Sequence, residues 1–314
     1  MHRRSVTPYV FVIIMGCGAL YAQSQSPWRL RSKLSIYDLA TKSVRIIYSS
    51  GALFEAPNWS PDGKFILFNE QGKLFLLSVN GEKRTEIDLK GLLRCNNDKG
   101  FSPDGKQIAF SSTGKAKGSQ VFTVPSTGGE PRLIVPETPS YFHAYSPDGK
   151  YLAFVAQRNG NFDLFRIPAV GGQQEQLTMN AAYDDGPDYS PDGKWIYFNS
   201  NRSGKWEVWR MPADGAGQND AKAEQVTFDE VEDWFPHCSP DGKWLVFVTF
   251  PKGTKTHNER MPGVELRIMR LPGEKLDRAT SELLVTFFGG QGSINVNSWA
   301  PDSQKFAFVS FEAY

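Results

Sequence analysis

The sequence predicts an all-β fold, a six-bladed β-propeller closed on itself. Three observations predict it. A Ser-Pro-Asp-Gly tetrad recurs along the chain, the residues around each copy fall into repeated columns, and each end of the chain supplies half a blade. Self-similarity at a period of forty-odd residues marks a ring of four-stranded units.

The tetrad stands at Ser60–Gly63, Ser102–Gly105, Ser146–Gly149, Ser190–Gly193 and Ser239–Gly242, with a decayed sixth copy at Ala300-Pro301-Asp302-Ser303. Its prolines, 61, 103, 147, 191, 240 and 301, are 42, 44, 44, 49 and 61 residues apart. Two positions before each proline stand Trp59, Phe101, Tyr145, Tyr189, Cys238 and Trp299. Five after come Ile66, Ile108, Leu152, Ile196, Leu245 and Phe306, and seven after come Phe68, Phe110, Phe154, Phe198, Phe247 and Phe308. Positions two apart share one face of a strand, so these last two columns predict a buried strand face. Proline presets a turn, aspartate bonds the following backbone and glycine takes a positive φ. Asp62, Asp104, Asp148, Asp192 and Asp241 therefore read as turn-formers.

Each unit reads as strand A, the turn, strand B, a polar loop, strand C (Gln120–Val124, Asp163–Ile167, Glu207–Met211) and strand D. The sixth repeat supplies strands A and B only. Near the start, Lys33–Leu39 reads as a strand C and Val44–Tyr48 as a strand D. N-terminal strands C and D pairing with C-terminal strands A and B would complete the ring and leave no open edge.

Composition is that of an ordinary globular chain, 40% apolar and 22% charged, with 13% aromatics, 29 Gly and 20 Pro, which suits short strands joined by tight turns. Arg3 and Arg4, an apolar run from Tyr9 to Leu20 and a small Ala22 read as a signal peptide, residues 1–22, removed on export. A second reading takes Ile14–Cys17 as a lipoprotein box with a lipid-anchored Cys17. The run is too short for a transmembrane span. Formal charge is +1, and −1 without the leader, so nucleic-acid binding has no electrostatic support. Cys95 and Cys238 fall in repeats 2 and 5, on opposite sides of a six-membered ring, and read as free thiols.

With these tetrads and columns, residues 30–314 resemble the TolB-like propellers, a bacterial periplasmic group. The resemblance implies the six-bladed fold, spanning residues 28–314, and a periplasmic or secreted location. The chain is expected to lack the N-terminal α/β domain of the Tol-system protein, so a direct part in the Tol–Pal system is not implied. It also lacks a Gly-x-Ser-x-Gly elbow, which sets the propeller peptidases aside.

Chemistry is expected in the D-to-A connections and B-to-C loops, which share one face of the ring, opposite the turns. There the repeats stop resembling one another. Repeat 2 carries Asn96, Asn97 and Asp98, repeat 3 His143, repeat 4 Asp184 and Asp185, repeat 5 Trp234 and His237, and repeat 6 Gln291 and Asn295. The long B-to-C loop of repeat 5 adds His257 and Glu259. Asp184-Asp185 could equally satisfy loop backbone, Trp234 could stack on a ligand or pack, and the charges of Lys252–Arg260 read as a solvated loop.

Two function classes follow. In the first, a polar funnel on the D-to-A face binds a ligand, carbohydrate ahead of peptide, with an envelope protein as a further partner. In the second, the same funnel is a carbohydrate-active lyase or hydrolase. His143, His237 and His257 would hold a divalent metal such as Mn or Ca, or His143 or His237 would act as general base oriented by Asp98 or Asp185. The oligogalacturonate lyases, propellers with related repeats and a His-rich manganese site, are similar in fold and ligand types.

Overall fold

The computed structural model describes residues 30–92, 94–273 and 280–314. The leader at 1–22, with Cys17, lies outside the described residues, as do residues 28 and 29 of the propeller as delimited by sequence. Among the described residues no helix is long and apolar enough to cross a membrane.

The fold is a six-bladed β-propeller. Five sheets have four antiparallel strands each, in sequence order from the axis outward. Blade 1 runs from Phe54–Trp59 to Arg84–Glu86, blade 2 from Cys95–Phe101 to Arg132–Val135, and blade 3 from Ser140–Tyr145 to Glu175–Gln176. Blade 4 runs from Asp184–Tyr189 to Glu224–Gln225, and blade 5 from Glu232–Cys238 to Glu282–Gly289. In blade 6, Leu30–Asp38 pairs with Lys305–Ala313 from Leu30↔Ala313 to Asp38↔Lys305, and Ser43–Ser50 flanks it. Its innermost position is reduced to a single bridge, Trp299↔Phe306, where a fourth full strand was expected. The preceding chain spends its length on a 3-10 turn at Gln291–Ser293 instead.

The turns close as their chemistry requires. In blade 1, Ser60 Oγ donates to Asp62 Oδ1 at 2.7 Å, which also accepts the Lys64 amide at 3.1 Å. Blades 2 to 5 repeat this pattern. The turn glycines take φ near +70° (Gly63, 74°; Gly242, 69°), while blade 6 puts Ser303 there at φ 58°.

On strand B the phenylalanine column is buried in every blade. In blades 1 to 3 it faces an aromatic on strand C: Phe68 on Phe75, Phe110 on Phe122 and Phe154 on Phe165, with centroids 5.8, 5.7 and 5.6 Å apart. Such pairs add to the stabilisation that burial itself provides. Apolar clusters fill every gap between neighbouring sheets, the last joining Phe54 and Phe68 of blade 1 to Ala307 and Val309 of blade 6. Cys95 and Cys238 are free and buried.

Candidate functional site

The polar segments before each turn are not connecting loops. Asn96, Asn97 and Asp98 lie on Cys95–Phe101, His143 on Ser140–Tyr145, Asp184 and Asp185 on Asp184–Tyr189, and Trp234 and His237 on Glu232–Cys238. These are the innermost strands, so their residues crowd the axis. Each is interrupted by a bulge at the same place, between Glu55 and Asn58, Cys95 and Lys99, Phe142 and Ala144, Asp185 and Asp188, and Trp234 and His237. A bulge breaks the alternation of faces and re-aims side chains. Ala56, Gly186 and Phe235, each five residues before its proline, take φ of 51°, 62° and 51° at these bulges.

The centre of the resulting network is Asp185. His143 Nε2 lies 3.2 Å from its Oδ1 and His257 Nε2 3.3 Å from its Oδ2, with all three side chains buried. The Gly186 amide donates to Oδ1 at 2.7 Å and the Tyr183 hydroxyl to Oδ2 at 3.4 Å. Burial alone would raise the Asp185 pKa, but the two imidazoles outweigh it and hold the carboxyl well below the usual range. For His143, burial pushes downward, yet the bond to Asp185 and the charges of Asp185 and Asp98 carry it above its ordinary value. Burial raises Asp98, which accepts Asn295 Nδ2 and Asn96 Nδ2, each at 2.6 Å.

The third histidine is held elsewhere. His237 Nε2 donates to the Ile294 carbonyl at 2.8 Å, and its Nδ1 faces Asp188 Oδ2 at 3.5 Å. The three imidazoles therefore do not converge on one metal: two meet on Asp185, and the third turns toward Asp188. Other expectations are also corrected. Asp184 is wholly buried and receives Arg202 at 2.8 and 2.9 Å, so it is an ion-pair partner inside blade 4. Trp234 is wholly buried, 5.2 Å from Trp206 and 4.9 Å from Phe250 between ring centroids, which makes it core and not a stacking platform. Asn96, Asn97 and Gln291 are half-buried and Glu259 is exposed.

The loop 251–260 is not simply solvated. Its His257 reaches Asp185 of blade 4, its Arg260 pairs with Glu55 of blade 1, and the Gln291 amide donates to the His257 carbonyl at 3.2 Å. A Cβ on Gly290 would stand 2.9 Å from Arg260 Cγ, and one on Gly292 2.4 Å from Glu55 Oε1, so bare backbone lets the strap lie flat. From blade 5 it reaches blades 4, 6 and 1, crossing the mouth where the funnel was expected to open.

The axial cavity opens on the opposite face, among the turns. It measures about 370 Å³ and takes lining from every blade. Its rim is the six prolines 61, 103, 147, 191, 240 and 301 with Trp59, Phe101, Tyr145, Tyr189 and Trp299. Deeper residues include Asn58, His143, Asp188 and Asn297. Asn297 Nδ2 donates to Asp188 Oδ2 at 2.9 Å, and Asn58 Nδ2 to the Asn297 carbonyl at 2.6 Å. A wider furrow of about 870 Å³ runs between the turns of blades 2 and 3, but Asp104, Glu130, Arg132 and Asp148 along it are exposed, whereas the axial cavity gathers buried groups. The aromatic column before five of the six prolines was the signal for this cavity in the sequence, where it reads equally as strand packing.

Comparison with known proteins agrees with this architecture. The family model for the TolB beta propeller domain matches residues 138–269. An uncharacterized protein of Agrobacterium fabrum is 40% identical over 283 residues, covering 90% of this chain and 93% of its own. A solved Agrobacterium tumefaciens structure named for TolB is 39% identical, with a TM-score of 0.84 over 90% of this chain and 99% of that one. TolB from Acinetobacter baumannii, 20% identical, has a TM-score of 0.62 over 83% of this chain and 64% of its own. With repeats, ring and relatives in agreement, the chain belongs to the TolB β-propeller family.

Proposed function

We propose that this protein is a binding propeller of the bacterial envelope that takes a carbohydrate into its axial cavity from the turn face, without turning it over. The observation that carries this reading is the cavity itself: about 370 Å³, with an aromatic and proline rim above neutral amides and a buried His–Asp network. Its size falls within the range of about 300–1,000 Å³ for small-molecule sites, and such sites set apolar walls around a few fixed polar groups. Sugar rings offer C–H faces to aromatics and hydroxyls to amides. The reading extends to the export leader, residues 1–22, and to a periplasmic location, both supported by the basic and apolar start of the sequence.

Catalysis has weaker support. His143 lines the cavity and is backed by Asp185, the layout of a general base. Its raised pKa, however, favours the protonated imidazole, which donates a bond and takes no proton.

A glycan array followed by titration calorimetry tests the proposal. Tyr145→Ala, at the half-buried rim, is expected to weaken binding about tenfold, as loss of one stacking contact would. Binding unaffected by Tyr145→Ala, or steady release of unsaturated uronides or reducing ends from any oligosaccharide, would overturn it. So would capture of an envelope protein through the same rim with no glycan bound.

A further inference from the structure

A second cluster lies where blade 4 meets blade 5. Glu207 begins the strand Glu207–Pro212, Asp229 lies in the connection between the blades, and Asp233 is on Glu232–Cys238. One carboxylate oxygen from each falls within 4.8 Å of the others. Glu207 and Asp233 are fully buried, while Asp229 is half-buried and leaves a way in from solvent.

The surrounding groups orient the carboxylates without saturating them. Thr227 Oγ1 donates to Glu207 Oε2 at 2.6 Å, and Thr249 Oγ1 to Asp233 Oδ1 at 2.7 Å. Lys205 Nζ lies 3.0 Å from Glu207 Oε1. Asp233 Oδ2 is buried and accepts no hydrogen bond. The neighbouring acids are engaged elsewhere, Glu230 with Lys252 and Glu232 with the amides of Trp206 and Gly253. With all three ionised, one ammonium would leave two negative charges and an unused oxygen in a largely desolvated gap, an arrangement relieved either by protonation or by a bound cation.

We propose that Glu207, Asp229 and Asp233 bind one divalent, oxygen-seeking cation, Ca²⁺ ahead of Mg²⁺ or Mn²⁺, which pins blade 5 to blade 4. Carboxylates suit hard cations. Mg²⁺ dehydrates reluctantly and usually keeps several waters, so a site of three carboxylates, two of them buried, suits Ca²⁺ better.

The test uses the full chain stripped with a chelator. Added CaCl₂ at a hundredfold excess over Kd should raise the Tm by about 5 °C. Tb³⁺ should show luminescence sensitised by Trp206, whose carbonyl accepts the Asp233 amide at 3.0 Å. Asp233→Asn should abolish both effects. Asp229→Asn, at the accessible edge, keeps the test open should the buried variant fail to fold, and should weaken Ca²⁺ at least tenfold. A Tm indifferent to millimolar Ca²⁺, Mg²⁺ and Mn²⁺ overturns the proposal, as does a Ca²⁺ shift unchanged in Asp229→Asn.

Discussion

His257 Nε2 lies 3.3 Å from Asp185 Oδ2, which ties the strap of blade 5 to the innermost strand of blade 4. The same carboxylate holds His143 of blade 3 at 3.2 Å, so one buried anion joins three consecutive blades at the axis. Removing its charge leaves two imidazoles facing a neutral amide. Breaking a buried charge pair from one side typically costs about 3 kcal/mol. Asp185→Asn should lower the urea stability by about that amount with an unchanged m-value. A loss below about 1 kcal/mol would mean that the network does not fasten the blades at the axis.

The pair also sets a pH window. His143 is raised above its ordinary 6.5, so its contribution is complete below that value and is lost as pH climbs through the folded pKa. Asp185 is lowered from 3.8, so its contribution is present above that value and is lost as pH falls through its depressed folded pKa. Their joint contribution is therefore greatest between 3.8 and 6.5. Denaturation midpoints measured at pH 6 and pH 9 should fall between the two for the native protein. In His143→Gln that difference should shrink, and an equal fall in both proteins would exclude this imidazole as its source.

The bulges make a prediction with two signs. Gly186 has φ 62°, and a Cβ there would stand 2.5 Å from Asn199 Oδ1 and 2.8 Å from the Phe235 ring. Left-handed strain and overpacking together put Gly186→Ala at about 3 kcal/mol destabilising. Ala56 holds the same column at φ 51°, so Ala56→Gly relieves strain and should be neutral or stabilising by about 0.5 kcal/mol. Thermal melts of the two variants should move in opposite directions or leave Ala56→Gly unmoved.

The ring was legible in the sequence because its determinants are local and repeated. Ser60, Pro61, Asp62 and Gly63 build one turn among themselves, and Ile66 and Phe68 share the face of one strand. Strand A of each unit was legible, but its extension through the polar segment before the turn was not. Asp184–Tyr189 reads Asp-Asp-Gly-Pro-Asp-Tyr, a loop by propensity, yet all six residues are buried. Burial at the axis, Arg202 on Asp184 and two histidines on Asp185 override propensity there, and the bulge hides the alternation that marks a strand. The strap was invisible for a different reason. The partners Arg260 and Glu55 are 205 positions apart, and nothing in either segment names the other. Thus the three histidines stood out as candidates in the sequence, while their division between Asp185 and Asp188 and the open end of the channel did not.

Proline has no amide hydrogen, and six prolines ring the axial opening. These six positions therefore offer no backbone donor, and side chains such as Tyr145 must supply any donor at the rim. An incoming strand would find no backbone amide at these six positions to pair with its own carbonyls, which disfavours sheet extension there. Hydroxyl-rich molecules both donate and accept, and can pass this threshold to the amides and the His143 imidazole below. The selection of what enters would then begin at the turns, before any deeper group is touched.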